Sequence, residues 1–516
     1  MGIGTPSESP AVVVKEIDLT GGVPNTQSTT GAAIINSRWG PVEERILVDN
    51  EDTLVDRFAS PDSSNTISFH EANFFLKYSS KLQLVRVIDT SAKNASSIIG
   101  QTGAATPHVD ATPTVKNLAD FNAQLGALDS DLHTFVGKYP GAIGNSLQIQ
   151  ICPASDSATN SAFDSWTYKD NFDAAPGNSD FATKKTATDD EVHVAVIDKN
   201  GQFTGTKGSI LESYPFVSVA KNAKNNDGTT NFVKDVINER SEYIWMVDFD
   251  SDYRAAGAGT NMADSGSDFN LSRAAFGTGG GAPSSVIKTF TLSNGVNVSS
   301  ISASNVLSGF DLFEDKDQVE IDFLIAPGMS STTDQTTVVN DLVATAQSLR
   351  KDCVVVTSPA RDDVVNVTST PTAITRVIET ADTFTKSSYL FMDNNYLKVY
   401  DKFNDQFINI AAASSTAGIM AATDLNRAAW FSPAGSRRGQ YLGITAISYT
   451  PTKSQRDTLY KAGVNPIANI PGAGVILFGD KTKLARPSAF DRINVRRLFL
   501  VLERAIARAA EQVLFE

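Results

Sequence analysis

The segment of residues 474–515 constrains the fold of this chain more than any other, because it joins a strand, a turn and a long amphipathic helix. The apolar run at residues 475–478 predicts a strand that ends at Gly479-Asp480. From Val495 onward, apolar residues recur at spacings of three and four, which predicts a helix with one buried face. The residues of this apolar stripe are Val495, Leu498, Phe499, Leu502, Ala505, Ile506, Ala509 and Val513. We expect the stripe to belong to a domain core.

Arginines fall mainly on the flanks of the same predicted helix. They are Arg492, Arg496, Arg497, Arg504 and Arg508, with Glu503 and Glu511 interleaved. One interpretation is a solvated face with ion pairs between neighbouring helical turns. The other is a surface that meets an acidic partner, since the chain as a whole carries a net charge of −14.

Composition places the chain among ordinary globular proteins of several domains. Its 516 residues are 41% hydrophobic and 20% charged. A net charge of −14 and a pI of about 4.9 argue against nucleic acid as the main partner, because phosphate binding requires a basic surface. No apolar run approaches the roughly 18 residues of a membrane span, and the first residues lack the pattern of a secretory signal.

The cysteines and histidines predict no chemistry. Cys152 and Cys353 each lie in an apolar strand-like run, which predicts two reduced core thiols and folding in a reducing compartment. The four histidines, His70, His108, His133 and His193, are scattered without metal-ligand spacing. We therefore predict no metal site.

Three local patterns imitate binding loops and fail in detail. Asp248, Asp250 and Asp252 begin like a calcium loop, but Tyr253 stands where the turn requires glycine, which favours a solvated acidic loop. The glycine-rich run at residues 277–283 has no following Lys-Ser/Thr, and Lys481-Thr482 lacks the upstream glycine of a phosphate-binding loop. No GxSxG elbow is present, although spacing alone does not exclude a Ser/His/Asp site. The sequence thus predicts no catalytic residue and no cofactor, and an α/β hydrolase with a β insertion is the weakest of the alternatives.

The order of predicted elements indicates a nested α/β and α+β multidomain fold. Strands alternate with helices in residues 21–90 and again in residues 319–516, which predicts one α/β domain built from two chain segments. Residues 91–318 carry many short strands and predict an inserted β-rich outer domain, which begins with a polar excursion at 91–135. Residues 1–20 predict an extended N-terminal arm with one strand at Val12, Val13 and Val14. In the second α/β segment, residues 389–391 and 397–400 predict a hairpin around Asp393-Asn394-Asn395.

Several segments along the chain resemble, in the same order, the tail sheath proteins of contractile bacteriophages, and most closely those of T4-like phages. The segments are SPAVVVKEID, GPVEERILVDNEDTLVDRF, EANFFLKYSSKLQLVRVID, KYPGAIGNSLQIQI, DLFEDKDQVEIDFLIAPG, YDKFND, WFSPAGSRRGQ, QRDTLYKAGVNPI and FDRINVRRLF. The resemblance extends from end to end of the chain.

This resemblance implies a structural protein of the virion, made in the host cytoplasm, and not an enzyme. Such subunits form hexameric rings around a tail tube and contract to drive the tube through the host envelope for genome ejection. The implied partners are further copies of the chain, the tail tube protein, and the baseplate and tail terminator proteins, with no nucleic acid and no membrane. The resemblance also implies that Val12, Val13 and Val14 add a strand to a neighbouring subunit. Arg496, Arg497, Arg504 and Arg508 would contact the tube or another subunit. The alternative is the sheath of a phage-derived injection device, of the type VI secretion or bacteriocin kind.

The sequence departs from the family pattern at three places. Ala11 stands where the N-terminal arm of the family usually has glycine. The large outer domain that T4-like sheaths can carry near position 100 is replaced by the short polar excursion. Family members continue beyond the end of this sequence into a C-terminal domain, so we expect a truncated chain that is monomeric by itself.

Overall fold

The computed structural model of the protein describes residues 29–98, 113–130, 133–154, 161–249 and 287–511. The predicted N-terminal arm, with its strand at Val12, Val13 and Val14, lies outside these residues. The strands are β1 Gly31–Ile35, β2 Arg45–Val48, β3 Leu82–Arg86, β4 Ser96–Ile98, β5 His133–Gly137, β6 Leu147–Pro153, β7 Glu191–Asp198, β8 Ser209–Ser218, β9 Ile244–Met246, β10 Lys288–Thr291, β11 Phe323–Ile325, β12 Val354–Thr357, β13 Leu390–Met392, β14 Tyr396–Asp401, β15 Gln406–Ala411, β16 Ala446–Ile447, β17 Ile467–Ile470 and β18 Gly474–Leu477. The helices are α1 Glu51–Phe58, α2 Thr66–Leu76, α3 Leu118–Ser130, α4 Ser161–Ser165, α5 Asp180–Lys184, α6 Val233–Arg240, α7 Ala303–Phe310, α8 Thr332–Ala344, α9 Arg361–Val364, α10 Thr370–Thr383, α11 Ala413–Asn426, α12 Lys453–Lys461 and α13 Ile493–Glu511.

A six-stranded sheet joins two stretches of chain that are far apart in sequence. Its order is β13-β12-β11-β1-β3-β2, and all neighbours are parallel except β2 and β3. Gly31 of β1 pairs with Phe323 on one side and with Leu82 on the other. Residues 31–86 and 323–392 therefore contribute three strands each. The boundaries predicted for the domains stay a prediction.

Helices cover both faces of this sheet, as the continuous apolar character of its strands requires. On one face, Val306 of α7, Leu342 of α8 and Val377 of α10 pack in a common core. On the other face, Phe75 of α2 and Met420 of α11 form a second core. The last helix, α13, adds Ile493 and Leu500 to this second core.

Residues between the two halves of the central sheet form further small sheets. One has the antiparallel order β10-β6-β7-β8, and another has the order β4-β5-β9. Their shared core includes Phe135, Ile149 and Val194. The stretch 91–135, predicted to be a polar excursion, contains β4, α3 and the start of β5 within its described parts. Residues 255–285, whose Gly, Ser and Asp content predicts a long loop, lie outside the described residues.

Arg86, at the end of β3, ties the central sheet to the inserted residues. Its side chain is fully buried, and its guanidinium donates hydrogen bonds to the carbonyls of Ser37, Gly40 and Pro140 at 2.6–3.1 Å. A buried guanidinium is tolerated when acceptors surround it, and backbone carbonyls supply them here. The side chain thus fixes the entry of the inserted part against the sheet.

The hairpin predicted around Asp393-Asn394-Asn395 is wrong. β13 is instead a parallel strand of the central sheet next to β12, and β14 pairs antiparallel with β15. The reason is that the two asparagines are buried and link distant segments instead of making an exposed turn. The Asn394 amide donates to the Tyr449 hydroxyl at 2.9 Å, and its carbonyl accepts from Ile467 N at 2.7 Å.

Candidate assembly surface on the C-terminal helix

The start of α13 is held by the loop that follows β18. The backbone N–H of Ile493 donates to the carbonyl of Asp480 at 2.9 Å, and the Arg492 guanidinium forms an ion pair with the Asp480 carboxylate. Ile493 is fully buried and Leu500 is 6% exposed, so these two residues anchor the helix. Their positions define which side of the helix faces the protein.

Arg497 lies on the buried side of α13. It is 3% exposed, and its guanidinium donates to the carbonyl of Met420 at 3.1 Å. The same group lies 3.8 Å from the carboxylate of Asp424 and 5.1 Å from the centre of the Phe323 ring. Arg497 therefore joins α13 to α11 and to strand β11 of the central sheet.

Arg504 lies about two turns further along the same side of α13 and binds a buried carboxylate. Its guanidinium is 2.7 Å from Asp322 and 3.1 Å from Glu320, and it donates to the carbonyl of Asp352 at 3.0 Å. Asp322 is 5% exposed, and it also accepts a hydrogen bond from the backbone N–H of Thr30 at 2.9 Å. Burial raises the pKa of Asp322, and the positive charge of Arg504 opposes this rise. Arg504 thus compensates a charge that the fold has removed from water.

The other two predicted interaction residues keep part of their surface. The guanidinium of Arg496 lies 4.4 Å from the ring centre of Tyr389 and 4.1 Å from that of Phe490, and it donates to Ser388 Oγ at 3.0 Å. Arg508 pairs with Glu320 at 2.6 Å, and its side chain is 39% exposed. All four arginines therefore have partners within the chain. Their contact with a tube or another subunit stays a prediction.

The apolar stripe of α13 points away from the protein. Phe499 is 40% exposed, Leu502 is 45% exposed and Ile506 is 66% exposed. The prediction that this stripe lies in the core is wrong for these residues, while Val513 lies outside the described range. The physical reason is that Asp322 and Asp424 are buried below the helix, so the arginine face is the one that turns inward.

An exposed aromatic residue lies beside the start of α13. The Asn494 amide donates to the carbonyl of Trp430 at 3.1 Å, and Trp430 is 50% exposed. We call Trp430, Phe499, Leu502 and Ile506 the α13 surface. The sequence of the segment WFSPAGSRRGQ does not by itself predict that its tryptophan is exposed. The sequence feature that could have indicated this exposure is a pair of bulky aromatic residues shortly before a Pro-Ala-Gly turn, with no apolar periodicity around them.

The cysteines and histidines that the structure describes occupy core positions. Cys152 and Cys353 are buried free thiols, which confirms that prediction, and burial raises the pKa of both. His70 lies 3.1 Å from Asp401, and the ring of His193 stacks on Phe172 with centres 4.5 Å apart. Within the described ranges, no cluster of three or more His, Cys, Asp or Glu side chains is arranged to hold a metal ion.

The described helices include none with the length and apolar character needed to cross a membrane. The predicted acidic loop is described only up to Phe249, so Asp250 and Asp252 are not placed. His108 and the glycine-rich run 277–283 also lie outside the described residues.

Comparisons with known proteins find similarity to phage tail sheath proteins. Residues 300–483 match the family described as phage tail sheath protein central domain. The tail sheath protein of Salmonella phage ViI is 29% identical, over 99% of this chain and 85% of that protein. The tail sheath protein of Enterobacteria phage T4 is 28% identical, over 98% of this chain and 86% of its own length.

A solved structure shares the fold. The crystal structure of a sheath tail protein from Listeria innocua superposes with a TM-score of 0.53 at 10% identity, covering 94% of this chain and 78% of that one. This likeness concerns the backbone arrangement, while the phage relatives share sequence along nearly the whole chain. The chain is similar to phage tail sheath proteins along nearly its whole length, and its residues 300–483 match the central domain of that family.

Proposed function

We propose that this chain is a structural subunit of the contractile tail sheath of a bacteriophage. The observation that carries the proposal is the similarity to phage tail sheath proteins over 99% of the chain, which includes the central sheet and the inserted strands alike. The finer proposal is that the subunits form hexameric rings around a tail tube and contract to drive the tube through the host envelope. This work requires no catalytic step.

A subunit that assembles with its own copies needs surfaces that are exposed in isolation and covered in the polymer. The α13 surface has this character, since it presents four large apolar side chains that are 40–66% exposed. Interfaces of permanent homo-oligomers are more apolar than the average protein surface. We assign a second copy of the chain as the partner that covers it.

The arginines of α13 divide into two groups in this proposal. Arg497 and Arg504 are committed to internal carboxylates, so they position the helix and turn its apolar side outward. Arg496 and Arg508 retain exposed surface, so they are the members of the predicted set that can reach an acidic tube or subunit. The strand proposed at Val12, Val13 and Val14 would add to a neighbouring subunit by main-chain pairing.

Contraction in this proposal is a switch between two sets of interfaces and not a deformation of the subunit. The central sheet is buried on both faces, and Arg86 fastens the inserted part to it. The central sheet and the inserted part can therefore move together as one rigid unit while the contacts between subunits change. The further proposed partners are the tube, the baseplate and the tail terminator, all within the virion.

Co-expression with the tail tube protein of the same phage, followed by cryo-electron microscopy, tests the proposal. We expect helical sheaths around tubes, and the variant Leu502→Gln/Ile506→Gln should leave the tubes bare. Mass spectrometry of purified tails supplies an independent reading. Bare tubes with the unaltered chain, together with its absence from purified tails, would contradict the proposal.

A further inference from the structure

A basic pocket lies on the side of the protein where α12 ends. It has a volume of about 350 Å³ and is formed by the end of α10, the end of α12 and the loop at residues 481–487. Its basic side chains are Lys386, Lys461, Lys481, Lys483 and Arg486, and its carboxylates are Asp382 and Asp491. Five cations against two carboxylates give this pocket a positive charge within a chain whose net charge is −14.

Lys483 is the unusual member of the set, because its side chain is almost entirely buried. It is 3% exposed, and its ammonium donates to the carbonyl of Ala462 at 2.6 Å. Burial, together with the neighbouring charge of Lys386, lowers the pKa of Lys483 to about 8. The like charges of Lys483 and Lys386 are therefore held near each other at a cost that an anion would relieve.

Part of the basic set has a structural use. Lys481 donates to the carbonyl of Tyr460 at 3.1 Å and lies 4.2 Å from the centre of its ring. Lys481 and Lys483 thus satisfy carbonyls at the end of α12, where cations are favoured. A carbonyl is a dipole and not an anion, so these bonds leave the positive charge of the pocket in place.

The two carboxylates do not neutralise the remaining cations. Asp382 pairs with Lys386 at 3.1 Å, and Asp491 lies 3.7 Å from Arg492, which is outside the basic set. Over the described ranges, the side chains of Lys461 and Arg486 have neither an ion pair nor a hydrogen bond. Both are exposed at the mouth of the pocket. The pocket therefore presents the side chains of Lys461 and Arg486, unpaired among the described residues, around the buried ammonium of Lys483.

We propose that this pocket binds carboxylate groups from an acidic segment of a second copy of the chain. The inference rests on the proposed function, because a sheath brings identical copies into contact. Copies with a net charge of −14 repel one another, and a local basic pocket supplies the opposite charge that an interface requires. Exposed carboxylates that can accept from these cations exist on the same chain, for example Glu314, Asp315 and Asp317 in one loop. The Lys481-Thr482 pair lacks the pattern of a nucleotide-binding loop, and both residues line this pocket, where Lys481 is one of the basic side chains.

Charge reversal at the mouth of the pocket tests the proposal without touching the buried lysine. The variant Lys461→Glu/Arg486→Glu should lower the fraction of co-expressed tubes that carry a sheath at least tenfold, measured by electron microscopy at low and high salt. The matched control Lys221→Glu/Lys224→Glu makes the same change in charge at exposed positions of the inserted part. It should cover tubes like the unaltered chain. High salt should reduce the sheathed fraction for the unaltered chain and not for the pocket variant.

Titration of the unaltered chain with inorganic phosphate, followed by thermal unfolding, separates an interface from a small-anion site. Saturable stabilisation by phosphate, with association unchanged in the pocket variant, would overturn the assignment to a second copy. Normal sheaths on tubes from the pocket variant would overturn it as well and would leave the proposed function standing.

Discussion

The guanidinium of Arg504 lies 2.7 Å from the carboxylate of Asp322, and this ion pair decides how the last helix sits on the central sheet. Asp322 immediately precedes β11, and it is buried with its other oxygen bound to the backbone of Thr30. A buried carboxylate is costly unless a cation compensates it. The helix therefore presents its arginines inward, and the apolar residues Phe499, Leu502 and Ile506 face outward.

Removal of Arg504 should be far more costly than removal of its neighbour Arg508. Arg504→Met leaves Asp322 buried without its cation, and we expect a loss of about 3–5 kcal/mol in the free energy of unfolding. Arg508→Met removes a pair whose members are 39% and 50% exposed, and we expect a loss below about 1 kcal/mol. Urea unfolding of the full chain, followed by circular dichroism, measures both.

A second substitution identifies the cause of the loss. Asp322→Asn in the Arg504→Met background removes the uncompensated charge and keeps an acceptor for Thr30, so most of the lost stability should return. Equal losses for Arg504→Met and Arg508→Met would show that the ion pair with Asp322 does not hold the helix.

The helical periodicity of α13 can be predicted from the sequence, but the orientation of the helix cannot. The spacing of Leu498, Leu502 and Ile506 correctly predicts a helix with one apolar face, because that periodicity is local. Which face turns inward depends on Asp322 and Asp424, and the nearer of these is more than 70 positions away in sequence. In the same way, Asn394 and Asn395 carry a turn signal that is overridden by contacts with Tyr449 and Ile467. Local signals fix the elements, and distant polar partners fix their placement.

Polar substitution of the outward stripe should affect assembly and not folding. Leu502→Gln and Ile506→Gln change exposed side chains to another good helix former, so each should alter stability by less than about 0.5 kcal/mol. Leu500→Ala, at a position that is 6% exposed, should cost about 2–4 kcal/mol. Urea midpoints measure folding, and co-assembly with tubes measures the interface. A Leu502→Gln variant as unstable as Leu500→Ala would mean that the stripe is buried after all.

Loss of Arg86 should loosen the inserted part from the central sheet. Arg86→Met leaves the buried carbonyls of Ser37, Gly40 and Pro140 without their donor, and we expect a cost on the order of 3–5 kcal/mol. Limited proteolysis should show faster cleavage near residue 140. Arg57→Met is the control, because its pair with Glu242 is solvent-exposed and should contribute less than about 1 kcal/mol. Equal protease resistance of Arg86→Met and Arg57→Met would contradict this role for Arg86.

Glu71 should make the chain less stable as the pH rises through weakly acidic values. It lies on α2, where its carboxylate accepts a hydrogen bond from Ala411 N at 3.1 Å, and burial raises its pKa from 4.5 to about 7. The folded chain therefore holds a proton that the unfolded chain releases between these values, so stability falls with increasing pH in this window.

The variant Glu71→Gln isolates this contribution because it keeps an acceptor for Ala411 N and cannot ionise. The free energy of unfolding of the unaltered chain, minus that of the variant, should fall by about 3 kcal/mol between pH 4.5 and pH 8. Asp393, whose pKa burial also raises to about 7, contributes equally to both proteins and cancels in the difference. Urea unfolding at four pH values across this range measures the difference. If it stays constant, or grows with pH, Glu71 does not hold a proton in the folded chain.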